Sequence, residues 1–395
     1  MTPPLPGTIG ILPSGALGVA LFYHLTGSLS CLDGSVFFLE RDGRPAGGAV
    51  RSRGASLRVA DAAGVHSVTG VSVFPGGLKA CGAAGRLPEV LLLCTNPDQL
   101  LPLLDPCVQV LERAHQEGDL REESIPLPAL VLCANGIYFQ RVRQVFIEKL
   151  EEATLLGRLP DLWPGLMPRI VGRLMRGVTI QTGVREGNGP DALYRPGPPG
   201  LTRLAGGEVA LRRRVHEVLS RGGGMFELAE GSSPTRVEFD KGMVNLVANL
   251  LGQLVAIDSH GGFTPLSVGQ VVERVGEAGV RELVGRVLEV GKGVRAYDVR
   301  EDLERVTGAT LENLRRHADH IPSSLQWLDL KLRRGEPVAG LAPTETWLLE
   351  PLLHYARSAG LAGAEEYLVG LRRELEAKLQ QVARSRPPTP PPPRP

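Results

Sequence analysis

Phe239-Asp240-Lys241-Gly242-Met243-Val244-Asn245-Leu246-Val247-Ala248-Asn249-Leu250-Leu251 reads as one helix. At about 100° per residue, Lys241, Asn245 and Asn249 step by four, drift by only about 80° in all and share a face. The remainder of the helix is almost wholly apolar, which predicts burial. A buried lysine with two amides costs several kcal/mol unless the three have partners or a ligand. Two readings follow: a satisfied polar seam between packed helices, or a lysine aimed into a cleft.

Downstream of this stretch no strand is expected. The 3.6-residue pattern predicts helices over about 239–257, 266–291, 298–318, 323–334, 344–358 and 363–385. Ser323 and Ser324 after Pro322 are available as caps, and Glu345 in the first turn after Pro343-Thr344 suits the helix dipole. Residues 386–395, rich in proline, predict a disordered polyproline II tail.

Upstream the pattern is α/β. A short strand over Thr8–Leu12, the turn Pro13-Ser14-Gly15-Ala16-Leu17-Gly18 and an apolar helix over Val19–Leu25 form a strand–turn–helix unit. In a dinucleotide fold the second glycine of such a turn admits a pyrophosphate to the backbone, and the third lets helix and strand pack closely. Gly15 and Gly18 fill those places, while Pro13 stands where the first glycine would be. A two-glycine turn also occurs in α/β proteins that bind no nucleotide. A second strand, Ser35–Leu39, ends in Glu40-Arg41. Glu40 there favours the ribose of NAD and Arg41 the 2′-phosphate of NADP, and a charged solvent-exposed turn is the alternative. Further strands are expected over Val68–Phe74, Glu89–Thr95, Ala129–Cys133 and Val178–Val184. The second and third of these end at Asn96 and at Asn135-Gly136, so Gly15, Asn96 and Asn135 should gather at one rim of a parallel sheet.

Composition narrows the class. The chain of 395 residues is 43% hydrophobic, long enough for two domains. Lys+Arg at 44 against Asp+Glu at 43 give a net charge of +1, which supplies no global attraction for nucleic acid or an anionic membrane. The five cysteines lack a CxxC pair, so reduced thiols, no metal site and a cytoplasmic location are expected. Met1-Thr2-Pro3-Pro4 does not resemble a secretory signal, and no apolar run reaches the roughly 18 residues of a membrane span. The domain organisation read here is a Rossmann-like unit over 1–185, a connecting region of strands and loops over 186–238, an all-helical domain over 239–385, and the tail.

In this order the chain resembles the ketopantoate reductase family, within the wider group of β-hydroxyacid dehydrogenases. Lys241-x-x-x-Asn245-x-x-x-Asn249 carries the resemblance, supported by Asn135-Gly136, Ser323-Ser324 and Pro343-Thr344-Glu345. The resemblance implies an N-terminal Rossmann-like domain with an all-α C-terminal domain, an NADP or NAD cofactor held by residues 13–18, Glu40, Arg41, Asn96 and Asn135, and reduction of a 2-oxo acid, as in pantothenate biosynthesis. Lys241 would be the catalytic lysine, Asn135, Asn245 and Asn249 substrate contacts, and Ser324 and Glu345 the residues that close the pocket, with Glu345 also acting on Lys241. Partial burial would pull the lysine pKa down and the carboxylate would push it up. The chain departs from the family at Pro13, at Asn96 where a lysine is common, and in a longer Ser324–Glu345 interval. The partners implied are a small oxo acid and a second copy in a homodimer. Another β-hydroxyacid dehydrogenase, or an inactive dinucleotide-binding sensor or scaffold, are the competing readings.

Overall fold

The computed structural model describes residues 3–28, 34–40, 50, 55–187, 189–338 and 340–385. Arg41, Cys31 and the proline-rich tail therefore lie outside the described residues. Contacts divide the chain into two units, Met1–Val237 and Glu238–Pro395.

The first unit is built on an eight-stranded sheet. Its strands are β1 Leu5–Leu12, β2 Val36–Leu39, β5 Val73–Phe74, β6 Pro88–Leu93, β7 Ala129–Leu132, β8 Leu174–Thr179, β11 Thr202–Gly206 and β12 Phe226–Leu228, in the order β12-β11-β8-β7-β6-β1-β2-β5. Strands β5 to β8 around β1 pair in parallel, and β11 runs antiparallel to β8. Helices cover both faces, so β2, β7 and β8 are buried at every residue and read as largely apolar runs, with Arg176 and Thr179 of β8 the polar exceptions. One face packs on α1, Ala16–Ser28, through Val19, Leu21 and Leu25; the other packs on the helices Leu104–Gln116 and Phe139–Leu155.

A second sheet, β4-β3-β10-β9, was not expected. It joins β3 Leu57–Asp61 and β4 Gly64–Val68 to β9 Gly183–Glu186 and β10 Leu193–Pro196. Residues 186–238, read from sequence as a connecting region, thus supply strands to both sheets of the first unit. The expected strand over Val178–Val184 is instead the end of β8 and the start of β9.

The second unit is helical. Helix Pro234–Asn245, which spans the division between the units, is followed by a π-helical segment, Leu246–Leu251, and a short helix, Gly252–Ala256. Helices Val268–Gly293, Leu303–Arg316, Ser323–Arg333, Pro343–Ser358 and Ala362–Arg384 complete it. The Ser323 and Ser324 side chains do not cap their helix, whose N-cap is Pro322, whereas elsewhere Ser267 and Gln270 form a capping box and the Asp302 side chain accepts from the N–H of Arg305. No helix among the described residues is long and apolar enough to cross a membrane.

Candidate functional site

In the first unit the order of strands decides where a ligand can enter. Strand β1 has β6 on one side and β2 on the other, which makes its carboxyl end the switch point of the sheet. Leu12 is level with Leu93, and Leu93 with Leu132. The turn after β1 and the exposed Asn96 and Asn135 after β6 and β7 therefore lie at one rim, as expected.

Gly18 is required by sterics at this turn: a Cβ there would lie 2.1 Å from the Pro13 carbonyl oxygen and 3.2 Å from Ile11. Gly15 is different. A Cβ on it would meet only Pro13 Cγ at 3.7 Å, so the protein itself leaves the space open. The Leu12–Pro13 peptide is cis.

Glu40 is not part of a solvent-exposed turn. It is fully buried, and its Oε1 accepts from the Ser14 backbone N–H at 3.1 Å and from the Ser14 hydroxyl. The carboxyl fixes the turn from beneath, because two donors offset the cost of burying it.

Two arginines that the sequence reading passed over belong to this unit. Arg176 on β8 is 2% exposed and donates to the carbonyls of Leu132, Ala134 (2.6 Å), Gly136 (3.2 Å) and Gly177 (3.0 Å), with Tyr138 stacked 4.5 Å away. It clamps the loop that carries Asn135. Arg185 on β9 is level with Tyr194 on β10, whose hydroxyl donates to the Ser14 carbonyl at 3.1 Å. Two residues earlier, Gly183 lies against α1, where a Cβ would be 2.6 Å from the Ala16 carbonyl oxygen. Alternation along a strand puts Arg185 on that same α1-facing side. Its Nε and Nη2 are buried without a hydrogen-bond partner. A half-buried arginine with two buried, unused donors on the side of β9 that faces α1 fits an anionic ligand such as a pyrophosphate.

In the second unit Lys241 and Asn245 are half-buried on the helix Pro234–Asn245. The next residues form i→i+5 turns, so the uniform 100° step is broken between Asn245 and Asn249. Asn249 is 5% exposed. Its Oδ1 accepts from the Ser324 N–H at 3.0 Å and the Ser323 hydroxyl at 3.2 Å, and its Nδ2 donates to the Asn245 carbonyl at 3.1 Å. Both ends of the amide serve the fold. Asn249 caps the helix Ser323–Arg333, whose own N-cap Pro322 offers no side-chain acceptor, a structural role that the sequence reading did not assign to it.

Beneath this cap Gln253 donates to Glu345 Oε1 at 2.9 Å and to the Asn249 carbonyl at 3.3 Å. Burial pushes the Glu345 carboxyl up to about 7, with the Ser324 hydroxyl, its own backbone N–H and the Gln253 amide pulling the other way. Gln253 was missed although the signal existed: it continues the four-residue step Lys241, Asn245, Asn249.

No protein-family model and no curated protein matches the chain. Solved structures do. D-mandelate dehydrogenase in a ternary structure with NADH and anilino(oxo)acetate superposes with a TM-score of 0.65 at 15% identity, over 95% of this chain and 99% of that one. The fold is that of the ketopantoate reductases. A probable 2-dehydropantoate 2-reductase from Bacillus subtilis matches with a TM-score of 0.57 at 16% identity, over 93% of this chain and all of its own. The dimeric ketopantoate reductase from Staphylococcus aureus matches at 0.55 and 13% identity, over 95% and 99% of the two chains. The ketopantoate-reductase fold thus spans both units.

Proposed function

We propose that the chain is an NAD(P)H-dependent reductase of a small 2-oxo acid, in which Lys241 is the proton donor. The observation that carries the reading is the glycine turn at the switch point of the parallel sheet, with Gly15 left open and Gly18 needed for close packing. The N–H groups at the start of α1, beside Gly15, would hold the pyrophosphate, and Arg185 would add a cation that offsets the loss of the first glycine to Pro13. Asn96 and Asn135 stand at the same rim. With Glu40 turned inward, a 2′-phosphate and Arg41 suit the adenosine end better than a bare ribose does, which favours NADP.

A bound dihydronicotinamide supplies the hydride. The rest falls to this chain's residues. Reduction builds negative charge on the carbonyl oxygen, and the Lys241 ammonium both stabilises that charge and donates the proton. Asn245 and Asn135 orient the acid without adding charge, and Ser324 and Glu345 back the lysine helix. D-mandelate dehydrogenase, which was solved with an oxo-acid amide and NADH, and the ketopantoate reductases support this substrate class. The dimeric relative supports a homodimer. The four described cysteines are free, which suits the cytoplasm. A role in pantothenate synthesis rests on ketopantoate being the acid that is turned over.

The test is turnover of NADPH and NADH by the full chain across a panel of ketopantoate and other oxo acids. Lys241→Ala should lower kcat/KM by roughly 10²-fold or more; unchanged activity sinks the mechanism. The exposed Asn96, where a lysine would supply a second cation, favours a dinucleotide-binding sensor as the second reading. Cofactor binding without turnover of any oxo acid would select it.

A further inference from the structure

Matching donors to acceptors around Glu345 leaves two buried atoms over. Gln253, Ser324 and Glu345 are 0%, 1% and 1% exposed and come from three different helices. The Ser324 hydroxyl acts on the Glu345 carboxyl, whereas Gln253 Oε1 and Glu345 Oε2 have no hydrogen-bond partner. The orientation of the Gln253 amide is fixed by its neighbours, since its Nε2 faces two oxygens, the Asn249 carbonyl and Glu345 Oε1. Its Oε1 is therefore an acceptor that needs a donor. An ionised carboxylate has none to give, whereas a carboxylic acid has one.

We propose that Gln253 holds Glu345 as a neutral carboxylic acid in a two-point pair, with Gln253 Nε2–H donating to Glu345 Oε1 and Glu345 Oε2–H donating to Gln253 Oε1. A single proton then satisfies both orphaned atoms. The Ser324 hydroxyl, which rotates freely, donates to the same carboxyl. Every group acting on Glu345 is neutral: Gln253 from Gly252–Ala256, Ser324 from Ser323–Arg333, and the backbone N–H of its own helix. Asn249, from the π-helical segment, is neutral as well and is tied to the two serines. The direction in which burial moves the carboxyl, up to about 7, agrees with the pairing.

Gln253 is a positioning residue, acting only through Glu345. For catalysis the pair means that Glu345 brings no full negative charge to the helix of Lys241 below about pH 7. That consequence rests on the function proposed above, but the pairing belongs to the folded chain and is read without cofactor or substrate.

The measurement is the infrared carbonyl band of protonated carboxyls in the full chain, titrated from about pH 5 to about pH 9. Wild type should keep such a band well above the ordinary glutamate range, Glu345→Gln should lack it, and Gln253→Met should shift its frequency. A wild-type chain without the band at pH 6 overturns the neutral acid. A band that Gln253→Met leaves in place overturns the pairing. Should either variant fail to fold, carbon NMR of the glutamate Cδ atoms in wild type decides: one Cδ must stay in the acid form to near neutral pH, and ordinary titration of all of them contradicts the proposal.

Discussion

Glu40 in the first unit and Glu345 in the second are both buried almost completely, and the chain treats them in opposite ways. Glu40 Oε1 is met by two donors, the N–H and hydroxyl of Ser14. Glu345 is met by an amide, which brings a donor and an acceptor together. Donors alone match a carboxylate, whereas a donor with an acceptor matches a carboxylic acid. Burial therefore does not fix the state of a carboxyl; the chemistry of the group set against it does. At the glycine turn the result is a loop fixed from beneath. Under the lysine helix it is a proton stored among neutral groups.

The sharpest way to break the contrast is Glu40→Leu, which leaves both Ser14 donors buried without an acceptor. A loss of about 4 kcal/mol in denaturant unfolding is expected, and a loss below about 1 kcal/mol would mean that Ser14 does not depend on Glu40.

The next effect is one of pH. The Glu345 carboxyl is raised from 4.5 to about 7, so the folded chain binds more protons than the unfolded chain between those values. Its contribution, about 3 kcal/mol, is fully present below pH 4.5, declines as the pH rises and is gone above about pH 7. Glu345→Gln cannot titrate. The difference in stability between wild type and Glu345→Gln should change across that window and be flat on either side, and parallel curves throughout would show that Glu345 has no raised pKa.

The smallest effect is that of Asn249→Ala, which uncaps the buried Ser324 N–H. A cost of about 1–2 kcal/mol is expected in chemical unfolding. Because the cap belongs to the fold, the Michaelis constant for the oxo acid should move little; a large rise in it with stability intact would restore Asn249 as a substrate contact.

Much of this was legible in the sequence. The second unit's helices follow from the 3.6-residue period. The glycine turn follows from Gly15 and Gly18 between a strand and an apolar helix. The small sheet was not legible, because β4 is exposed along most of its length and β3 pairs with β10 across more than a third of the chain. The break in the polar stripe was hidden too, since nothing in Leu246–Leu251 distinguishes a π-helical segment from an α-helix. Arg176 and Arg185 stood as lone charges in strand-like runs, and only the fold shows that one clamps backbone carbonyls while the other keeps buried donors unused.

The central claim is that the glycine turn and Arg185 hold a nicotinamide dinucleotide, and calorimetric titration of the full chain with NADPH and with NADH tests it most directly. Saturable binding of at least one, weakened about tenfold or more by Arg185→Met at unchanged stability, is the predicted result. Absence of binding by either dinucleotide would contradict the account.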